Sequence, residues 1–151
     1  MVTFISKSPE ETLALGEQWG REARPGWLVG LTGDLGAGKT QLVKGIARGL
    51  GITERVHSPT FALVNEYRGG RRPLFHLDLY RLETRAQIVS AGLEEYVCAL
   101  TGVVAVEWVE RWFDSITDAQ RACSAGISVR FVRIEAPAEA ERRIVYEDTG
   151  A

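Results

Sequence analysis

A glycine-rich segment that directly follows a run of apolar residues constrains this chain more than any other part of its sequence. The segment, Gly33-Asp-Leu-Gly-Ala-Gly-Lys-Thr40, matches the pattern G-x-x-x-x-G-K-[ST] at every fixed position. The apolar run before it, Trp27–Thr32, has the length of a strand that is buried on both faces. Apolar residues at helical spacing follow it as far as Gly51. This strand–loop–helix order predicts an α/β fold with a phosphate-binding loop, called the P-loop below.

The residue types of the P-loop explain how it would hold a nucleotide. Glycine at positions 33, 36 and 38 lets the backbone curl so that successive N–H groups point at one anion. The positive end of the following helix adds to the attraction for phosphate. The Lys39 amine can reach the β- and γ-phosphates, and the Thr40 hydroxyl is placed to bind Mg²⁺. The sequence therefore predicts a site for a nucleotide with Mg²⁺.

Hydrolysis would also need carboxylates at the ends of neighbouring strands, on the metal side of the phosphates. Two acids end apolar runs, Asp78 after Phe-His-Leu and Glu107 after Val-Ala-Val. Each alone is equally well explained as an acid that flanks a strand, but beside a Mg-nucleotide both are predicted metal ligands. Ser58 and Thr60, in a proline-containing turn, either sense the γ-phosphate or form a simple turn. His76 shares a strand face with Asp78, and we expect it to form a hydrogen bond or fill the core rather than bind a metal.

The rest of the chain alternates predicted strands and helices, without an internal repeat or a long linker. These elements are a strand at residues 2–5, a helix that begins at Ser8-Pro9, a hairpin of strands at 61–67 and 73–79, a helical stretch from about Thr84 to Leu100 broken at Gly92, a strand at 103–106 that ends in Glu107, and closing strands at 127–135 and 143–147. We expect one domain over residues 1–151, a P-loop NTPase-like three-layer α/β/α sandwich. Its central sheet would be mostly parallel, with antiparallel additions.

The composition is that of an ordinary globular protein. Eighteen basic and twenty acidic side chains leave a formal net charge of -2. This balance argues against a dedicated nucleic-acid coat protein but leaves room for contact with RNA within a complex. The two cysteines, Cys98 and Cys123, are too few and too far apart in the sequence for a disulfide framework. With no leader sequence and no apolar run of membrane length, we expect a cytoplasmic protein that does not contact membranes.

Several further motifs, taken together with the P-loop, are similar to those of one known family. They are Ser58-Pro-Thr-Phe61 with Tyr67, His76-Leu-Asp-Leu-Tyr-Arg-Leu82, Gly92 with Glu95-Tyr96, and Val106-Glu-Trp108. Between residues 10 and 112 the chain resembles the TsaE (YjeE) family, the small bacterial ATPase of tRNA threonylcarbamoyladenosine biosynthesis. The resemblance implies a protein that binds ATP and Mg²⁺ and hydrolyses ATP slowly. It also implies partner proteins of the TsaD and TsaB types, which install threonylcarbamoyl on the adenosine next to the anticodon, so that tRNA is reached indirectly.

The same resemblance implies a set of site residues. The nucleotide-binding residues would be Gly33, Gly36, Ala37, Gly38, Lys39, Thr40, Gln41, Thr60 and Trp108. Thr40, Asp78 and Glu107 would be the Mg²⁺ ligands, directly or through water, and Lys39 would join the two acids as a catalytic group. Trp108 would lie at the edge of the nucleotide, although a buried core tryptophan is the alternative. Gln41 stands where many relatives have a second threonine, so the backbone N–H is kept and the hydroxyl is lost.

Other functions remain open from the sequence alone. A P-loop small-molecule kinase would need an acceptor pocket and an arginine-bearing lid; the loops are short, but Arg81 and Arg85 leave this alternative open. A nucleotide-gated interaction module would bind ATP without needing turnover. A regulatory GTPase is disfavoured, because the chain has no [NT]-K-x-D sequence. The arginines at 68, 71, 72, 81 and 85 are expected to form a solvated hairpin face, with contact to RNA or an acidic partner as the alternative.

Overall fold

Strands and helices lie where the periodicity predicts them through most of the chain. The computed structural model of the protein describes residues 1–123 and 126–149. The strands are β1 (Val2–Ser6), β2 (Trp27–Thr32), β3 (Val64–Tyr67), β4 (Leu74–Asp78), β5 (Val103–Glu107), β6 (Ser128–Ala138) and β7 (Glu141–Asp148). The helices are α1 (Pro9–Glu22), α2 (Lys39–Gly49), α3 (Arg85–Ser90), α4 (Glu94–Val97) and α5 (Ile116–Ala122), with a 3-10 turn at Val109–Arg111.

The strands form one seven-stranded sheet in the order β1-β7-β6-β2-β5-β4-β3. The four central strands, β6, β2, β5 and β4, are parallel, whereas β7 and β3 run antiparallel to them at the two sides. Apolar residues of α1 and α2 pack on one face of the sheet, and those of α3, α4 and α5 pack on the other. This arrangement confirms the predicted α/β fold with a mostly parallel sheet and antiparallel additions. Among the described residues, none of the helices has both the length and the apolar character needed to cross a bilayer.

Helices α1 and α2 approach each other closely, because small residues face each other across their contact. Gly16 and Gly20 on α1 lie opposite Gly45 and Gly49 on α2. A Cβ atom on Gly45 would overlap the carbonyl oxygen of Leu13 far inside van der Waals contact. Helix α2 begins at the P-loop, so this close contact also fixes the direction in which the loop enters the helix.

We expect the substitution Gly45→Ala to lower the free energy of unfolding by about 2 kcal/mol or more, because the added methyl group forces the two helix backbones apart. In a helix with free space beside the glycine, the same change would stabilise the protein by about 1 kcal/mol. A loss of stability in Gly45→Ala is therefore diagnostic of the close contact. Urea denaturation measures the effect. The matched control is Gln18→Ala on the exposed face of α1, for which we expect little change. Equal stability of Gly45→Ala and the wild type would contradict this account of the contact.

Two segments differ from the prediction. Residues 61–63 are a turn and not part of β3: the N–H of Leu63 donates to the carbonyl oxygen of Pro59 at 2.7 Å, and Leu63 has a φ of 69°. The alternating residue types at 61–63 continue the pattern of β3, and for this reason they predicted a longer strand. The second difference is α5, which was not predicted. The sequence does carry a signal for the start of α5, a serine at position 115 that can cap a helix. In the structure the Ser115 hydroxyl accepts a hydrogen bond from the N–H of Asp118 at 3.1 Å.

The two cysteines lie close together in space. Cys98 ends α4 and Cys123 ends α5, and their Sγ atoms are 2.7 Å apart in the free thiol state. The two residues are 25 positions apart in the sequence, and they meet because the fold brings together the ends of two helices on the same face of the sheet. Their free state is consistent with the expectation that they form no disulfide framework. Burial, followed by the contact with Cys98, raises the pKa of the Cys123 thiol to about 12.

Candidate nucleotide and metal site

The P-loop and the two predicted carboxylates meet at the carboxyl ends of the parallel strands. The register of the sheet places Leu31 of β2 beside Glu107 of β5, and Glu107 beside Asp78 of β4. The P-loop leaves β2 at this same edge. A cleft of about 400 Å³ opens there; it is lined by Leu35, Gly36, Gly38, Lys39, Thr40, Gln41, Ser58, Thr60, Asp78, Tyr80, Glu107 and Trp108. Most of the residues predicted from the sequence therefore line one cavity.

Glycines shape the P-loop as the sequence predicts. Gly38 has a φ of 110°, a conformation that side-chain-bearing residues rarely adopt. It is the N-cap of α2, and its lack of a side chain leaves the first N–H groups of that helix open to an anion. Gly33 has a φ of 148°, and a Cβ atom there would lie 2.5 Å from the carbonyl oxygen of Ile134. The loop is thus held against β6 on one side and open on the other.

Lys39 lies over the P-loop with its amine inside the cleft. The side chain is buried, and Nζ donates to the carbonyl oxygens of Gly33 at 2.5 Å and Asp34 at 2.9 Å. Nζ also lies 4.4 Å from the centre of the Trp108 ring. Burial lowers the pKa of Lys39, although the charges of Glu107 and other nearby carboxylates oppose the shift. The amine is therefore placed where an added negative charge would stabilise it.

Glu107 is held by two donors from different parts of the chain. The Thr40 hydroxyl lies 3.0 Å from its Oε1 and 2.9 Å from its Oε2, and His76 Nε2 lies 2.5 Å from Oε2. A carboxylate only accepts, so the His76 ring carries its proton on Nε2 and donates to Glu107. The ring is fully buried, and its Nδ1 has no hydrogen-bond partner within the part of the chain that the structure describes. His76 thus has the hydrogen-bonding role expected of it, with Glu107 as the acceptor.

Asp78 accepts hydrogen bonds from the turn that the sequence left open between two interpretations. The Ser58 hydroxyl donates to its Oδ2 at 2.6 Å, and the Thr60 hydroxyl lies 3.2 Å from the same oxygen. The backbone N–H of Tyr80 donates to Oδ1 at 2.9 Å. The turn therefore lies against a predicted metal ligand, which is the position that a sensor of metal or phosphate requires. Ser58 belongs to the site as closely as Thr60 does.

Trp108 lines the cleft and also packs, partly buried, against the apolar cluster on the α3–α5 face of the sheet. Its side chain is partly exposed, and its backbone adopts a φ of 61° directly after β5. The ring lies 5.2 Å from the Tyr80 ring and 5.3 Å from the Arg111 guanidinium, measured between centres. Arg111 also donates to the carbonyl oxygen of Tyr80 at 3.0 Å. Neither residue was predicted as part of the site: Tyr80 stands within the His76–Leu82 motif but was given no role there, and Arg111 belongs to none of the motifs.

Gln41 does not replace the missing hydroxyl. Its amide donates to the carbonyl oxygen of Pro9 at 3.2 Å, so the side chain turns toward α1.

Arginines that lie close together in the sequence contact different parts of the folded chain. Arg71 donates to the carbonyl oxygens of Gly20 and Ala23 near the end of α1, whereas Arg85 pairs with Asp118 of α5 at 2.7 Å. These contacts weaken the single basic face and remove Arg85 from a lid, whereas the Arg81 guanidinium lies 4.2 Å from the centre of the Phe61 ring, beside the turn of Ser58 and Thr60.

The donor set around the cleft fits Mg²⁺ with a nucleotide. Mg²⁺ takes oxygen ligands, and in nucleotide sites it is bound by one or two carboxylates together with phosphate oxygens and water. The carboxylates of Asp78 and Glu107 end neighbouring strands, and the Thr40 hydroxyl already contacts Glu107. On the other side, the P-loop offers open backbone N–H groups and the Lys39 amine for phosphates. The residues present therefore supply both halves of such a site.

Known proteins similar to this chain point to one family. The sequence model for the family described as Threonylcarbamoyl adenosine biosynthesis protein TsaE matches residues 6–144, which include the P-loop and both carboxylates. A Nostoc sp. protein named tRNA threonylcarbamoyladenosine biosynthesis protein TsaE is 52% identical over 114 residues, which cover 74% of this chain and 70% of the relative. A Bacillus subtilis protein of the same name is 48% identical over 101 residues, covering 67% and 62% of the two chains. The fold is similar to that of the crystal structure of B. subtilis YdiB, with a TM-score of 0.75, 34% identity, and coverage of 99% of this chain and 86% of that chain.

Proposed function

This chain belongs to the TsaE family of tRNA threonylcarbamoyladenosine biosynthesis proteins, and from that membership and the geometry of the cleft we propose that it binds ATP with Mg²⁺ and hydrolyses the ATP slowly. The observation that carries the proposal is the meeting of three parts at one sheet edge. The P-loop with Lys39, the Thr40–Glu107 contact and Asp78 with its two hydroxyl donors all line the same cleft. A phosphate loop alone would support binding only, whereas the two carboxylates also support turnover.

In this proposal the P-loop holds the phosphates. The first N–H groups of α2 point at the anion, and the Lys39 amine leaves the carbonyl oxygens of Gly33 and Asp34 to neutralise the β- and γ-phosphates. The ring of Trp108, 4.4 Å from Nζ, shields the amine from water on one side. Phosphate charge would also offset the cost of burying the Lys39 ammonium group. Binding of the anion and placement of the lysine therefore support each other.

The carboxylates serve the metal side. Mg²⁺, when bound, neutralises the charge that develops on the phosphate oxygens during hydrolysis. The hydrogen bond from His76 fixes the Glu107 carboxylate, so that the carboxylate oxygens stay within hydrogen-bond distance of Thr40. Ser58 and Thr60 hold Asp78 in the same way, and both hydroxyls lie on a turn that can move with the occupancy of the site. Such a turn is suited to report the state of the nucleotide to another protein.

The family and the names of the relatives support a role for the proposed activity in tRNA threonylcarbamoyladenosine biosynthesis. We propose that the chain supports turnover of a threonylcarbamoyltransferase complex with partners of the TsaD and TsaB types, without performing the transfer itself. Contact with tRNA would then be made by the complex. The formal net charge of -2 and the dispersed arginines favour this indirect contact over a dedicated RNA surface. A cytoplasmic location, expected from the sequence, suits this role.

The fate of the γ-phosphate tests the proposal. With γ-labelled ATP and Mg²⁺, we expect slow release of label as inorganic phosphate, and faster release when transferase partners are added. The matched control is the Lys39→Ala variant, which should release no label above background. Transfer of the label to a small metabolite would show the alternative, a P-loop small-molecule kinase, to be correct. Tight ATP binding with no release in any condition would favour a nucleotide-gated interaction module instead.

A further inference from the structure

The hairpin of β6 and β7 lies against the outside of the P-loop. Arg142, near the start of β7, donates from Nε to the carbonyl oxygen of Ala37 at 2.9 Å. Its Nη1 group lies 3.0–3.1 Å from the carbonyl oxygens of Ala138, Glu139 and Glu141 at the end of the hairpin. One guanidinium therefore ties the hairpin to the apex of the P-loop, although the two bonded residues are 105 positions apart.

The bond to Arg142 fixes the peptide unit between Ala37 and Gly38. In a trans peptide the carbonyl group and the following N–H group point in opposite directions. The described residues contain no cis peptide bond. Because Arg142 holds the carbonyl oxygen of Ala37 toward the hairpin, the N–H of Gly38 points away from the hairpin. Gly38 borders both the hollow beside Arg142 and, on its other side, the cleft.

The loop itself does little to choose this orientation. Ala37 lies between Gly36, with a φ of 79°, and Gly38, with a φ of 110°. Turning over the Ala37–Gly38 peptide rotates ψ of Ala37 and φ of Gly38, and because glycine tolerates positive and negative φ almost equally, Gly38 opposes this rotation little. The guanidinium supplies the missing constraint, since a hydrogen bond from a charged donor to a buried carbonyl is stronger than one between neutral groups.

We infer that Arg142 is a positioning residue for phosphate binding: it holds the Ala37 carbonyl outward and so keeps the Gly38 N–H directed at the bound anion. This inference rests on the proposed function for the identity of the anion, a nucleotide polyphosphate. It gives the last strands of the fold a role in the site although they carry none of its motifs. The planar guanidinium suits the task, because it can bond the loop and the hairpin end at the same time.

The first test is made on the nucleotide-free protein and needs no binding activity. We expect the Gly38 amide resonance to be sharp in the wild type and broadened by microsecond-to-millisecond exchange in Arg142→Ala, as the peptide unit turns over. Arg142→Lys keeps the charge and one set of donors, so we expect an intermediate effect. The control is Lys7→Ala, which breaks the 2.9 Å ion pair of Lys7 with Glu141 at the same end of the hairpin but does not touch Ala37.

The second test is the affinity for ADP and for inorganic pyrophosphate, measured by calorimetry. We expect Arg142→Ala to weaken both about tenfold, Arg142→Lys to recover part of the loss, and Lys7→Ala to match the wild type. A sharp Gly38 resonance and unchanged affinities in Arg142→Ala would overturn the inference. Equal losses in Lys7→Ala and Arg142→Ala would also overturn it, because the hairpin as a whole would then be responsible. Gly38 broadening in a protein whose wild type binds neither ligand would support the role of Arg142 and refute the proposed function.

Discussion

Replacing Lys39 by alanine is expected to weaken ATP binding by about 100-fold or more. The amine is the one full positive charge that the P-loop brings to the β- and γ-phosphates, and a charge-assisted hydrogen bond contributes about 1.5–3 kcal/mol. Because Lys39 is buried, water screens its attraction to phosphate less than it screens a charge at the surface, so more binding energy is lost with the amine. Calorimetry with ATP in the presence of Mg²⁺ measures the loss directly.

The matched control for this prediction is Lys44→Ala. Lys44 lies on the exposed face of the same helix, so the substitution removes the same charge from α2 without touching the cleft. We expect its ATP affinity to match the wild type. Thermal unfolding without nucleotide separates a binding effect from misfolding, and both variants should unfold cooperatively. Wild-type affinity in Lys39→Ala would refute the assignment of the P-loop as the nucleotide site.

The pH dependence of binding gives an independent check on Lys39. Burial lowers its pKa, so in the nucleotide-free protein the amine loses its proton at a lower pH than an exposed lysine does. ATP affinity should be full below that pKa and should fall as the pH rises through it. In Lys39→Ala, the fall should be absent over the same range. A wild-type profile that stays flat well into the alkaline range would mean that the charge of this amine does not hold the phosphates.

The parts of the site that the sequence predicted are those that depend on local order along the chain. The P-loop has fixed spacing between a strand and a helix, and both Asp78 and Glu107 end runs of apolar residues. Because the central strands are parallel, two such ends meet at one edge of the sheet. Binary patterning and a motif were sufficient for this much of the chemistry. The same local order predicted nearly every strand and the break at Gly92.

The parts that could not be predicted are contacts between segments distant in the sequence. One of the two donors to Glu107 is His76, 31 residues earlier, and it reaches the carboxylate only because β4 and β5 are neighbours in register. The contact of Arg142 with Ala37 depends on the hairpin returning to the P-loop at the far end of the chain. Nothing in the local pattern specifies either pairing. The turn at residues 61–63 shows the limit of local patterns, because its alternating residue types are compatible with both a strand and a turn. The pattern alone therefore predicted a strand that the structure does not have.

Replacing Glu107 by glutamine is expected to reduce Mg²⁺-dependent ATP hydrolysis about 100-fold, which corresponds to about 2.7 kcal/mol in the barrier. Glutamine keeps the size of the side chain and one oxygen for Thr40 or His76, but it removes the charge on the metal side. ATP binding in the presence of EDTA should stay close to wild type, because the P-loop contacts are untouched. Steady-state phosphate release and calorimetry with and without Mg²⁺ separate the two effects.

The control for Glu107→Gln is Glu110→Gln, which removes an exposed carboxylate from the middle of the 3-10 turn at Val109–Arg111. Glu110 is close enough to influence the pKa of Lys39, so this control has the same sign of electrostatic effect on the amine. We expect it to hydrolyse ATP at nearly the wild-type rate. If both variants lose turnover equally, ATP hydrolysis depends on the total negative charge near Lys39. A specific role of the Glu107 carboxylate on the metal side would then be wrong.

Combining Glu107→Gln with Asp78→Asn shows whether the two carboxylates act on one cation. Groups that serve the same ion act as a unit, so once one is lost the second substitution should cost far less than it does in the wild type. We therefore expect the double variant to hydrolyse ATP only slightly more slowly than the slower single variant. Rate losses that multiply would mean that Asp78 and Glu107 act at separate steps. Since Asp78 bonds the Ser58 and Thr60 hydroxyls and Glu107 bonds Thr40, such independence would assign Asp78 to the movement of the turn and leave the metal to Glu107 alone.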